Sequence, residues 1–311
     1  MSGLLASVKR NCKVFFKDKG MFISSLITPI ILLVLYVVFL AKVYRDSFLS
    51  ALDGAPAPDK LVNGFVAGQL CSSLLAVCCI TVAFCSNLLM VQDKVTGVRG
   101  DLLITPASRS THALGYYLST AASTMVVCIL ALCGGLIYIA CSGWYLSFGD
   151  IMLSFVDVIL LVLFGTALSS VVNFFLTSQG QMQAVGTIVS AGYGFICGAY
   201  MPISQFGNGL QKVLCFLPST YSTSLIKNHA MRGVFAEMEN GGFPAEVVDK
   251  IKESVDCKFA FFGHDVSVTA MLLVIVVTVV VLVGAYVLIC AFKRDAEGKT
   301  KIKRKPQSAA K

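Results

Sequence analysis

Apolar residues run almost unbroken through six stretches of the chain, 22–41, 61–91, 114–141, 151–176, 182–201 and 266–292. A bilayer crossing takes about 20 apolar residues in a helix. The pattern therefore predicts an all-α integral membrane protein with six transmembrane helices. Two other regions have helical periodicity without that length. Over residues 1–20, Leu4, Leu5, Val8, Cys12, Phe15 and Phe16 recur three and four apart, while Lys9, Arg10, Lys13 and Lys17 take the opposite face. This predicts a basic amphipathic helix lying flat in the membrane interface, ahead of a six-span body at 21–311. In residues 202–265, Leu210, Val213, Leu214 and Leu217 keep helical spacing until Pro218. That run is too short to span and too apolar for a free loop. It predicts a pair of interfacial or re-entrant helices, followed by a small polar cap over 237–265.

The segment 92–112, QDKVTGVRGDLLITPASRSTH, is the one charged and punctuated link in the first half of the chain. Asp93, Lys94, Arg99, Asp101 and Arg109 are costly in hydrocarbon. Gly97 and Gly100 loosen the backbone, and Pro106 stops a helix. Val98, Leu102 and Leu103 make a short apolar face. The reading is a brief amphipathic helix that ends at Thr105-Pro106, held at a membrane surface, with a soluble partner packed against it.

Composition agrees with a membrane protein. Of 311 residues, 56% are hydrophobic and 14% charged, with mean hydropathy +0.79; a soluble domain carries about 25% charge. Charge also predicts orientation. The arm before residue 22, the 92–112 loop and the tail at 293–311 lie on one side of a six-span protein. They hold sixteen of the 25 basic residues and five of the 17 acidic ones. The positive-inside rule makes that side the cytoplasm, with both termini there and 202–265 outside. The net charge of +8 is thus a topology signal, and no soluble basic domain exists to bind nucleic acid. The first apolar stretch is too long for a signal peptide and lacks a small-x-small cleavage site. The twelve cysteines have no metal-like spacing. Cys215 and Cys257 both fall in the outer segment, as a pair or as two free thiols.

Within the spans, Pro29 interrupts the first helix. Tyr36 and Tyr44, then Trp144 and Tyr145, are placed at the outer interface as an aromatic belt. Gln69, Ser72, Ser73, Thr81, Ser86 and Asn87 in the second span either bond neighbouring helices or line a polar path. Asp157 is the one ionisable residue read as lying well inside a span, either a substrate or proton site or a carboxylate reached by water. Gly186, Ser190, Gly194 and Gly198 step four apart along the fifth span, a stripe where a second backbone can approach, from this chain or another copy. Tyr193 lies off that stripe. Ser73, Thr81, Asn87, Asp157 and Tyr193 are the candidates for lining a path.

No catalytic constellation is present, and His112, His229 and His264 have no metal-ligand pattern. Gly298-Lys299-Thr300 looks like the end of a phosphate loop. Lys293 stands where that loop needs its first glycine, so the chain is not an enzyme that hydrolyses nucleotides by itself.

The order of elements resembles the membrane subunits of type-2 ATP-binding-cassette transporters, mostly exporters. The likeness is carried by DKVTGVRGDLLITPASR after the second span, and by Gly198 to Pro202 with Ile203-Ser204, then Pro218, Tyr221 and Arg232-Gly233. Val98-Arg99-Gly100 stand where the family has a Thr-Leu-Glu-like triplet, and the Gly207-Asn208-Gly209 turn replaces a second proline. The resemblance implies a multi-pass subunit of the cell membrane, paired with itself or a related chain around a translocation path. It implies separate ATPase subunits that bind ATP and Mg, with no cofactor on this chain. Asp93, Lys94, Gly97, Arg99, Leu102, Leu103, Pro106 and Arg109 would then belong to the coupling helix that seats in the ATPase. Leu5, Val8, Phe15 and Phe16 would belong to a connecting helix beside it. The rival reading is a transporter or channel without an ATPase, with Asp157 as its ion-coupling site; a third is a sensor or immunity protein on the same membrane fold.

Overall fold

The computed structural model describes residues 2–52, 57–261 and 264–292. The basic tail, with its Gly298-Lys299-Thr300 triplet, lies outside the described residues. The chain forms α1 (Ser2–Lys17), then α2 (Lys19–Leu35), which passes through a π-helical turn, Tyr36–Leu40, into α3 (Ala41–Ala51). Asp18 separates α1 from α2 and caps α2 by accepting a hydrogen bond from the Met21 amide. Next come α4 (Asp59–Val95), the short α5 (Val98–Leu102), α6 (Arg109–Ser142), α7 (Phe148–Phe175) and α8 (Gln179–Ile196). A single 3₁₀ turn, Ile203–Gln205, leads to α9 (Asn208–Leu214), α10 (Pro218–Asn240) and α11 (Ala245–Ser254). Two-residue strands β1 (Ala260–Phe261) and β2 (His264–Asp265) pair antiparallel before α12 (Val268–Phe292).

Helix α4 is the axis. It is apolar or hydroxyl-bearing on every face, so it can be buried all round. From Leu61 to Val91 nearly all of it is buried, and α2, α3, α6, α7, α8 and α10 pack against it. At 37 residues it is about 55 Å long, well beyond the hydrocarbon thickness. Its two ends define the molecule. The proximal end carries α1, α5 and the start of α6; the distal end carries the α6–α7 turn and residues 198–261.

Among the described residues, five helices are long and apolar enough to cross a membrane: Lys19–Ala51, Asp59–Val95, Arg109–Ser142, Phe148–Phe175 and Val268–Ala291. The sixth expected span, 182–201, differs. Its helix has 18 residues and includes Gln179, Gln181 and Gln183, which dilute its hydropathy. It stops at Ile196, where the backbone turns back on itself: the Ala199 and Tyr200 amides both donate to the Gly194 carbonyl.

Other expectations change as well. The first span does not end near residue 41 but runs to Ala51. Tyr36 and Tyr44 are therefore not belt residues. Both are buried, and the Tyr44 hydroxyl donates to the Ala199 carbonyl at 3.2 Å. Helix α1 packs against the bundle. It runs along the first turns of α6, with Cys12 against Ser119 and Ser123. Gly115 is what lets it approach: a Cβ there would stand 2.5 Å from the Ser7 hydroxyl. Pro218 ends one helical run, as expected, and also opens α10 at its first turn, where its missing N–H is not needed. Helix α10 is polar in sequence but buried over most of its first half, because its hydroxyls bond nearby carbonyls. Thr220 donates to Leu214 at 2.7 Å, Tyr221 to Cys215 at 2.8 Å and Ser222 to Ser219 at 2.8 Å. Cys215 and Cys257 are buried free thiols.

Candidate functional site

At the proximal end, Asp93 is the hub. It is 4% exposed near the end of α4. Arg10 of α1 reaches it with both guanidinium nitrogens, at 2.5 and 3.1 Å, and the Tyr116 hydroxyl of α6 donates to it at 2.5 Å. Bidentate, charge-assisted contacts of this kind are the strong ones. The hydrogen bond to Asp93 holds the Arg10 guanidinium even more firmly protonated than usual. One helical step on, Lys94 donates to the carbonyls of Asn173, Phe174 and Leu176, at 3.0, 2.6 and 3.3 Å. These carbonyls end α7, where a cation satisfies both hydrogen bonding and the helix dipole. Asp93 and Lys94, expected to face a soluble partner, instead point inward and tie four helices together.

The loop beyond them is thereby held in place. Gly97 has a φ of +86°, a left-handed turn that glycine adopts without strain, and it launches α5. Leu102 and Leu103 are half-buried. With Arg99, Arg109, Tyr116, Phe174 and Tyr286 they border a small cavity of about 30 Å³ under the loop. The Arg99 guanidinium lies over the Phe174 ring at 5.9 Å. Pro106 is exposed. The apolar residue that the loop presents outward is Ile104, 84% exposed. Sequence periodicity passed over it because it lies one residue beyond the helical pair Leu102-Leu103. On α1, Phe15 is buried and Val8 half-buried against the bundle, while Leu5 and Phe16 are exposed.

In the interior, Asp157 is not alone. His229 of α10 meets it with Nδ1 at 2.6 Å from Oδ2, and both residues are buried. A turn away, Arg232 lies 3.6 Å from Asp150, so α7 and α10 share two polar rungs. Sequence reading missed His229 because the pair is 72 residues apart. Lys227 is also fully buried: its Nζ donates to the carbonyls of Gly198 at 2.8 Å and Val255 at 3.0 Å. It stands 3.8 Å from Asp256, which accepts from the Ile203 and Ser204 amides. Burial pushes the Asp256 carboxyl above the usual range, while Lys227 and the two amides pull it back.

Asn87 donates to Ser169 and Ser170, both at 3.0 Å, and accepts from Thr120, linking α4, α7 and α6. Thr81 bonds its own helix at Val77. These two, with Ser73, Asp157 and Tyr193, are buried within the chain. None of the five lines the main cleft.

That cleft lies between the first span and α8, which both lean on α4. Its volume is about 1170 Å³. Its walls include Leu35, Phe39 and Val43 from one side and Gly186, Ser190, Ala191 and Phe195 from the other, with Phe65 and Cys85 on its floor. Among the described residues, no Asp, Glu, Lys, Arg or His lines it. The expected small-residue stripe divides here. Gly186 and Ser190 face the cleft, Gly194 is covered by the Tyr200 ring, and Gly198 has left the helix with a φ of +75°.

The apolar helices define a class: a multi-pass membrane protein. A model of the family described as ABC-2 family transporter protein matches residues 53–287, and the chain belongs to that family. Permeases of this family work with ABC ATPase subunits. No curated protein matches the chain.

Proposed function

We propose that the chain is the membrane subunit of an ATP-driven exporter, coupled to separate ATPase subunits through the 92–112 loop. The observation that carries this reading is the loop's construction. An exposed Ile104 stands on a segment tied by Asp93 to α1 and α6, and by Lys94 to the end of α7. A docked partner that moves Ile104 would therefore move four helices at once. A shift of that kind opens a path only if the partner binds the two arrangements differently, and ATP with Mg on the partner supplies that difference. The proximal end is the cytoplasm on the charge argument. The helix ending at Ile196 then acts as a sixth crossing, and α9 with α10 as a re-entrant pair on the outer side. Two copies, or one copy and a related chain, would meet near the cleft, whose uncharged walls suit an apolar substrate.

The test is partner capture from the native membrane, with mass spectrometry of what co-purifies. The wild-type chain is expected to bring a stoichiometric ATPase carrying the phosphate-loop lysine motif. Ile104→Asp removes about 2 kcal/mol of apolar burial at the contact and should weaken capture about thirtyfold. Equal capture and equal transport by the variant would overturn the coupling assignment. The rival Asp157-driven mechanism has less support, because Asp157 is clasped by His229 and does not line the cleft.

A further inference from the structure

Helix α1 has one face against the bundle and another that carries cations with no counter-ion among the described residues. Lys9, Lys13 and Lys17 recur four apart, so they stack along one stripe about 6 Å from one another. All three are exposed, and none pairs with a carboxylate among the described residues. The acids nearest to the stripe already accept hydrogen bonds. Asp93 is held by Arg10 and Tyr116, and Asp18 caps α2. With Ala6, Val14 and Asp18, the lysines border an open groove of about 820 Å³.

The groove sits at an elbow. Two residues after Lys17 the chain enters the first span, where Ile23 and Ile27 are exposed apolar side chains. Phe15, Phe16 and Phe22 cluster at the bend, with ring centroids 5.2, 6.1 and 5.7 Å apart. Exposed Phe16, Ile23 and Ile27 close in the chain to lysines with no carboxylate partner among the described residues match the chemistry of a lipid headgroup and the top of its chains. We propose that this groove binds the headgroup of an anionic phospholipid, with the phosphate against Lys13 and Lys17 and Lys9 adding to the field. The site goes beyond the ATPase reading and does not depend on it. A soluble anion would need only the lysines. The elbow adds the apolar shelf that a free phosphate cannot use.

The experiment is native mass spectrometry of the full chain, extracted from vesicles of phosphatidylcholine with one-fifth phosphatidylglycerol. The wild-type chain should retain phosphatidylglycerol over phosphatidylcholine. Each lysine near an anionic surface is worth about fivefold in binding. Lys13→Gln should therefore lower the preference about fivefold, and the triple Lys9→Gln, Lys13→Gln, Lys17→Gln variant about a hundredfold. The triple Lys→Arg variant, which keeps the charge that orients the chain, should keep the preference. The tail at 293–311 is present in every variant, so the differences report the groove. An undiminished preference in the Gln variants would overturn the proposal. Displacement of the lipid by millimolar inorganic phosphate would reduce the groove to a general anion site, which also overturns it. Lost capture of a soluble partner with unchanged lipid retention would assign the stripe to a protein contact instead.

Discussion

At the scale of single residues, the fold depends on a few buried charges whose partners come from distant parts of the chain. Asp93→Ala would leave Arg10 and Tyr116 without their shared acceptor, at about 3 kcal/mol. Helix α1 should detach first, seen as faster proteolysis within residues 2–17, and exchanging the pair as Arg10→Asp with Asp93→Arg should recover part of the loss. Lys227→Met would strip donors from the Gly198 and Val255 carbonyls and leave Asp256 buried beside no cation, again about 3 kcal/mol. This deficit should depend on pH. The Asp256 carboxyl is already pushed above its ordinary value by burial, and without Lys227 it rises further. A raised carboxyl favours the folded state only while protonated. The associated stability is present below the unfolded carboxyl's pKa and is lost as pH rises through the folded value. Melting temperatures of wild type and variant should converge in acid and diverge toward neutral pH. A constant gap would mean that the lysine acts by packing alone.

At the scale of elements, close approach decides what docks where. Gly115 admits α1 to the side of α6, and a side chain there would meet Ser7. Gly115→Leu should overpack that contact by about 1–3 kcal/mol and expose Cys12, now half-buried against Ser119 and Ser123. Mapping of thiol-labelled peptides would read this directly; an unlabelled Cys12 would show that the helix pair yields elsewhere. Helix α10 makes the opposite point. Its hydroxyls, His229 and Lys227 form no apolar period, yet it is buried because Thr220, Tyr221, Ser222, Thr223, Ser224, Lys227 and His229 each find a partner nearby. Periodicity counts apolar positions and is blind to a helix buried by hydrogen bonding.

At the scale of the whole molecule, the first span and α8 rest on α4 and leave the cleft between them. If that cleft is the path, Ala191→Trp should obstruct it. Transport should fall at least tenfold while ATPase capture stays at the wild-type level. Unchanged transport would put the path away from this face. The variant separates the path from the docking loop, because Ala191 lies on the cleft wall and Ile104 on the proximal surface.

The membrane class, the basic amphipathic α1, the punctuated loop with its short helix and the break at Pro218 were legible in the sequence, because each follows from local composition, spacing or backbone chemistry. Long apolar runs must be helical in a bilayer, since nothing else there satisfies the backbone. The pairings were decided by tertiary structure. Arg10 with Asp93, Lys94 with the end of α7, Asp157 with His229 and Lys227 with Gly198 join residues 29 to 83 positions apart, and no local pattern specifies which distant group a charge will meet. For the same reason the small-residue stripe looked continuous along the sequence. In the fold its last glycine belongs to a turn, because the chain leaves the helix at Ile196 to reach Lys227 and Asp256.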